Sequence, residues 1–266
     1  MGFLLSRRWL AFFVVIALAA WGAYALGQWQ FHRLQEKRHA NHVIAHNLTA
    51  APVPVGELLS AGRPATSALE WRRVTIRGTW DDARTVVVKY QTNMNGAPGA
   101  DVVTPLVTPG GRAAIVDRGW IPTENSGSVR PKTPPATKGT VTVTGWVRVN
   151  ATGSATAISQ MSTRAVSSAA ISHVVPHPVY GGFVDLATQS PPPAHRLGAT
   201  EMPDYTSDGP HFFYGLQWWF FGVLAVFGFF FLMYDEWQRH RRGDQGAGSA
   251  EPPRAQPTGA ASSSRN

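Results

Sequence analysis

The chain contains no cysteine among its 266 residues. That excludes disulfides, thiolate metal sites and a cysteine nucleophile, and it suits a domain exported to an oxidising space, where mispairing is a hazard. Acidic residues are also scarce: 16 Asp and Glu against 24 Lys and Arg, a formal net charge of +8. The basic excess sits beside apolar runs rather than along a polar helix, so it reads as membrane topology and not as nucleic-acid binding. Motifs of common enzymes are missing as well. There is no GxSxG, P-loop, HExxH or dinucleotide fingerprint, and no internal repeat. Asp81, Asp82 and Asp117 are carboxylates that nothing in the sequence pairs into an acid/base couple. Asp117 and Arg118 of "VDRGW" read as a turn-edge ion pair or a contact patch.

What is present in quantity is apolar length. From Trp9 to Gly27 runs a stretch of about 19 residues without charge, and from Phe212 to Tyr234 one of about 23. At about 1.5 Å per residue the second covers roughly 34 Å, enough for a hydrocarbon layer of about 30 Å. Only helices or closed barrels satisfy the backbone in lipid, so both are expected as transmembrane helices. Arg7 and Arg8 before the first run, with "AYA" at Ala23 to Ala25, also fit a cleaved signal peptide. The run exceeds a usual signal core, which favours a retained span. Arg239, Arg241 and Arg242 follow the second run, whereas Asp204, Asp208 and His211 precede it, so the positive-inside rule puts the C-terminus in the cytoplasm. Two spans then put the N-terminus there too. The expected organisation is a cytoplasmic N-terminus at 1–8, a first span at 9–30, an extracytoplasmic domain at 31–210, a second span at 211–234 and a cytoplasmic, largely disordered tail at 235–266.

The intervening domain reads as mainly β. Residues His32 to Asn47 are polar and helix-compatible, so the first helix is expected to continue into solvent. Beyond Trp71 come six strand-like runs: "WRRVTIRGTW", "RTVVVKY", "ADVVTPLV", "RAAIVDRGWIP", "TVTVTGWVRV" and "HPVYGGFVDL". Ala151 to His173 reads as loop with a short helix at most. The fold class is therefore two transmembrane α-helices flanking a mainly β extracytoplasmic domain, an antiparallel sheet or open barrel of α+β type.

Histidines are the remaining candidates for chemistry. His39, His42 and His46 share one helical face, either a solvated polar face or a three-imidazole metal site. His211 lies at the mouth of the second span. Tyr214, Gly215, Trp218, Gly222 and Ala225 fall close to its face, and Gln217 lies deeper to one side. Small residues admit a neighbouring helix or a flat ring. A neutral imidazole can ligate haem iron, and a polar side chain at membrane depth is a functional candidate. An interfacial aromatic belt with a helix-packing Gln is the other reading of the same residues.

Six motifs, "LGQWQFHRLQEK" from Leu26, "RRVTIRGTWD" from Arg72, "GADVVTPL" from Gly99, "VDRGWIP" from Val116, "VTGWVR" from Val143 and "HFFYGLQWW" from His211, stand in order between the two spans. In that order and spacing the chain resembles the Surfeit locus protein 1 family, assembly factors for haem-copper cytochrome c oxidase, from about Leu26 to Tyr234. The resemblance implies two membrane helices around a domain outside the cytoplasm, and a role in the early building of oxidase subunit I, around insertion of haem a. It implies haem a as a cofactor, with His211 on the iron and Tyr214, Gln217 and Trp218 beside it. Trp29, Arg33, Arg118, Gly119 and Trp120 fall on motif positions and become expected contacts to subunit I or other assembly factors. Gly215 and Trp219 stand where the family pattern has Ala and Phe, mild departures. The chain enters lipid within about ten residues of its start, with no amphipathic leader, so a bacterial plasma membrane is expected. The alternative is a membrane-anchored docking platform or structural subunit of a respiratory complex that binds no haem. An enzyme is not expected, because the sequence offers no general acid or base.

Overall fold

The computed structural model describes residues 6–93, 95–123 and 129–247. They divide into two units, one holding the apolar ends of the chain and the other Glu36–Asp208. Of the expected tail, residues 248–266 lie outside the described residues.

The first unit is a helix pair. Helix α1, Arg7–Thr49, is continuous through the apolar run and the polar stretch after it; its first part, to Gln35, belongs to this unit. At the other end of the chain, α4 spans His211–Ala247, about three and a half turns beyond the expected end at Tyr234. Arg239 pairs with Asp235 one turn earlier at 2.6 Å, and the Arg241 guanidinium lies 4.0 Å over the Trp237 ring, so local contacts support the polar extension. Both helices are long and apolar enough to cross a membrane. They pack antiparallel: Trp9 and Phe12 meet Phe229, while Phe31 meets Phe212. Glycines set the approach. A Cβ at Gly215 would press on the Phe31 ring, and one at Gly222 on Ala23. The outward faces carry Leu10, Leu18, Trp21, Phe213, Val223 and Phe227, all exposed, as lipid-facing side chains are.

The second unit is a small barrel. After the end of α1 come β1 (Val53–Pro54), α2 (Val55–Leu58), β2 (Arg73–Trp80), β3 (Val86–Thr92), β4 (Pro98–Val107), β5 (Ala113–Pro122), β6 (Thr140–Arg148), β7 (Ser162–Thr163), α3 (Ser168–Ile171) and β8 (Phe183–Ser190). The sheet order is β1-β2-β6-β8-β5-β4-β3-β7, and a further pairing of β2 with β4 closes β2, β6, β8, β5 and β4 into a five-stranded ring. All six strand-like runs form strands. The expected antiparallel sheet or open barrel needs two corrections. The ring closes, through Thr79↔Val107 and Trp80↔Leu106. It is also mixed, because β8 pairs antiparallel with β6 on one side but parallel with β5 on the other. A chain that crosses from β5 to β6, and returns along β8 between them, cannot make both neighbours antiparallel.

Alternation explains the barrel interior. Val74, Ile76 and Trp80 of β2 join Leu106, Val116, Val141, Val143 and Val184 in one core. Strands β4 and β5 are buried along nearly their whole length, on both faces. Their outer side is covered by a second cluster, in which Val103 and Ile115 meet Ile171 of α3 with Val175 and Val179. A strand buried on both faces loses the alternating pattern, which is why "ADVVTPLV" and "AAIV" read as continuous apolar runs. The last turns of α1 are tied to this unit by Asn47, whose Nδ2 donates to the carbonyls of Ala68 and Glu70 at 2.8 Å each, and by the 2.8 Å pair of Arg38 with Asp208.

Ile76 is 1% exposed at the centre of the barrel. Truncating it to Ala is expected to cost about 2–5 kcal/mol, through lost burial and a residual cavity. Thermal unfolding of the detergent-solubilised chain checks this, and a midpoint equal to the parent protein's contradicts the assigned core.

Candidate functional site

Strand β5 carries "VDRGW", and strand alternation sends its neighbouring side chains to opposite faces. Asp117 and Arg118 are not an ion pair with each other at a turn. Each faces its own cavity, in mid-strand.

The parallel register places Asp117 beside Asp185 of β8. On the other side a bulge in β5, where Arg118 and Gly119 stand opposite Val102 of β4, sets Asp101 opposite Trp120, and Asp101 lines the same cavity. The three aspartates, with Arg148, Trp120 and Phe183, line a cavity of about 880 Å³, and residues 198–202 form part of its rim. Arg148 spans two carboxylates: Nε donates to Glu70 Oε1 at 2.7 Å and Nη1 to Asp185 Oδ2 at 2.5 Å. Its guanidinium lies 4.2 Å from the Trp71 ring centroid. Asp117 Oδ1 accepts from the Gly119 amide at 2.9 Å. Arg164 also lines the cavity, but among the described residues only Arg148 pairs with a carboxylate there, too little positive charge to keep Asp101, Asp117, Asp185 and Glu70 all ionised out of water. Burial, reinforced by Asp101 and Asp185, pushes the Asp117 carboxyl well above the usual aspartate range. Burial, with Asp185 adding, raises Asp101 to about 6. Asp185 also reaches about 6, burial outweighing the Arg148 contact.

Arg118 points the other way. Nη1 donates to the Pro134 carbonyl and Nη2 to that of Pro135, both at 3.2 Å. The residue is 7% exposed. Gly119, next along, has φ +123°, and the carbonyl of Gly198 packs where its Cβ would stand. That close approach lets Trp120 and Gly198 exchange backbone hydrogen bonds at 3.0 and 2.8 Å, pinning the 191–200 segment to β5. Arg118 and Gly119 are thus buried, and Trp120 half-buried, in the free chain.

In the helix unit, His211 opens α4. Its Nδ1 lies 2.9 Å from Gln30 Oε1 on α1. With the amide oxygen as acceptor, Nδ1 is the donor and Nε2 is the ring nitrogen left to meet another partner, the orientation a metal-ligating imidazole uses. Tyr214 is 49% exposed, Gln217 is exposed and Trp218 half-buried. The small-residue strip divides: Gly215 is covered by Phe31 and Gly222 packs near Ala23, so the neighbour it admits is a helix. The open apolar surface lies beside it, in a groove of about 540 Å³ lined by Ala20, Tyr24, Trp219, Gly222, Val223 and Phe227 among others. Tyr24 and Trp219 stack there at 6.4 Å with rings 9° from parallel. Trp29 is 52% exposed, and the Arg33 guanidinium stands 5.8 Å from its ring centroid. His39, His42 and His46 are all exposed, and among the described residues no three His, Asp or Glu gather as a metal site. Gln30, Asp101, Arg148 and Asp185 were not legible as site residues. Gln30 lies inside a quoted motif, but its pairing with His211 depends on the helix packing.

Two long apolar helices, one opening on an oriented imidazole, and a closed five-stranded barrel between them in sequence define a membrane-associated barrel protein. The SURF1 family model matches residues 17–223, and the chain belongs to the SURF1 family. It is 27% identical over 258 residues to uncharacterized SURF1-like proteins of Mycobacterium bovis and Mycobacterium tuberculosis, covering 95% of this chain and 92% of theirs. It is 30% identical over 125 residues to Surfeit locus protein 1 of Takifugu rubripes, covering 41% of this chain and 49% of that one. Proteins of this family are assembly factors linked to cytochrome oxidase.

The acid cavity makes stability depend on pH. A carboxyl whose pKa is raised by folding binds its proton more tightly in the folded state. Its stabilising contribution is full below the unfolded value of 3.8 and is lost as pH rises through about 6. The barrel is expected to lose stability between about pH 4 and 7. Asp101→Asn removes one of these charges and is expected to stabilise the chain by about 1–3 kcal/mol above pH 7, with little effect near pH 4. Denaturation curves across that range check it, and a flat profile for both proteins contradicts it.

Proposed function

We propose that this chain handles haem a during assembly of a haem-copper cytochrome c oxidase, stabilising or presenting it for subunit I. The observation that carries the reading is the His211–Gln30 contact, which leaves Nε2 as the free nitrogen at the head of α4. An imidazole so oriented is suited to an axial position on iron, and a haem bound there would supply the cargo for the oxidase. The groove of Tyr24, Trp219, Val223 and Phe227 offers an apolar face to a flat macrocycle, with the Tyr24–Trp219 stack as one wall. His211 is the ligand in this reading. Tyr214 and Trp218 flank it, and Gln217 lies toward the lipid depth. The role is custody, with no bond made or broken in the porphyrin.

In the same reading both termini are cytoplasmic, the barrel lies outside the cytoplasm and the membrane is a bacterial plasma membrane. The cationic residues Arg239 and Arg241 beyond the apolar part of α4 support that orientation. Subunit I and other assembly factors are the partners. Trp29 and Arg33 are exposed and can meet them directly, whereas Trp120 offers only its half-buried ring.

The test is an optical spectrum of detergent-purified protein from cells making haem a. Wild type is expected to show a Soret band, His211→Ala to lose it, and Gln30→Leu to weaken haem retention about 10- to 100-fold, as loss of a partner orienting a ligand does. Equal haem content in wild type and His211→Ala, or none in either while oxidase assembly proceeds, would favour the docking platform without haem.

A further inference from the structure

The second cavity, on the Arg118 face of β5, belongs to no part of the haem reading. It measures about 430 Å³ and is lined by Arg118, Thr188, Gln189, His195, Arg196 and Leu197 among others, and among the described residues no carboxylate stands in its wall. We propose that it binds an oxyanion, a carboxylate or phosphate group, held by Arg118 at its base and Arg196 at its rim.

The contrast between the two buried arginines carries the argument. Arg148 meets two carboxylates at 2.5 and 2.7 Å. The Arg118 side chain is more deeply buried, at 4% exposure against 27%, yet its nearest carboxylate oxygen, on half-exposed Asp82, is 3.7 Å away, beyond hydrogen bonding. A guanidinium has five N–H donors, and two of them reach the carbonyls of Pro134 and Pro135. The others find no acceptor among the described residues, and the side chain lines an open cavity. A buried cation left short of acceptors is costly unless something supplies them. Burial also draws the Arg118 pKa down, as expected of a cation whose counter-charge is incomplete. Gln189 cannot fill the gap. Its Oε1 accepts from Trp80 Nε1, and its Nε2 donates to Thr137 and the Pro191 carbonyl. Exposed Arg196 at the rim adds charge of the same sign. Two oxygens of a carboxylate or a phosphate can meet a guanidinium fork in two parallel hydrogen bonds, which is why this chemistry fits better than a halide.

The experiment titrates sodium phosphate into the full-length chain in detergent, against sodium chloride at matched ionic strength, and reads the thermal midpoint and binding heat. Saturable binding with a rise in midpoint is expected, and acetate should compete with phosphate. Arg118→Lys keeps the charge but loses the fork, and about a tenfold loss of affinity is expected. Arg196→Ala, at an exposed position, should weaken binding about 3- to 10-fold while leaving the phosphate-free midpoint unchanged. It decides the question if the Arg118 variant fails to fold. Nanodiscs separate the sources: a free ion acts in neutral and anionic discs alike, whereas a headgroup occupant abolishes the response in anionic discs only. Phosphate stabilising no more than chloride in detergent and in neutral discs, or Arg196→Ala binding as wild type does, would overturn the proposal.

Discussion

Strand β5 pairs with β8 in parallel for two positions, Val116↔Val184 and Asp117↔Asp185, and much of the barrel depends on that short ladder. It joins the β2-β6-β8 part of the ring to β5 and β4. It also fixes which face of β5 meets which part of the wall. With Asp117 turned to Asp185, alternation must turn Arg118 the opposite way. One residue of slip would exchange the two side chains and put a cation among the aspartates and an acid against the Pro134 and Pro135 carbonyls. The apolar residues on either side hold the register, since Val116 and Val184 are both buried in the barrel core.

The barrel thus keeps two charged cavities of opposite character back to back. The acid one holds counter-charge of its own, Arg148 on Asp185 with Arg164 also in the wall. The basic one is left short of counter-charge. Between their mouths runs the 191–200 segment, attached at Trp120 through a glycine on each side. The helix pair is a separate device. Its glycines serve helix packing, and the polar feature at the head of α4 is the contact of His211 with Gln30.

Local pattern made much of this readable in advance. Period two marked β2 and β6, and uncharged length marked α1 and α4. The polar face of His32 to Asn47 was rightly expected to stay helical, because nothing there breaks a helix. Three matters were hidden for physical reasons. The parallel pairing depends on which strand lies between which, and that is not encoded near β5 or β8. Asp101, Asp117 and Asp185 are far apart in sequence and meet only through that pairing and the bulge in β5. Arg118 resembles any strand-edge arginine in sequence, and its burial follows from the loop carrying Pro134 and Pro135. Motif resemblance pointed to His211, but Gln30 emerged only once the antiparallel helix contact was known.

The central claim is that a chain of this construction serves the making of a terminal oxidase. Its most direct test is the reduced-minus-oxidised spectrum of membranes from a strain lacking the gene, beside the parent and a strain complemented with the full chain. The account predicts that the a-type haem signal and oxidase activity fall in the deletion strain and return on complementation. Unchanged haem a and unchanged oxidase in the deletion strain would contradict it.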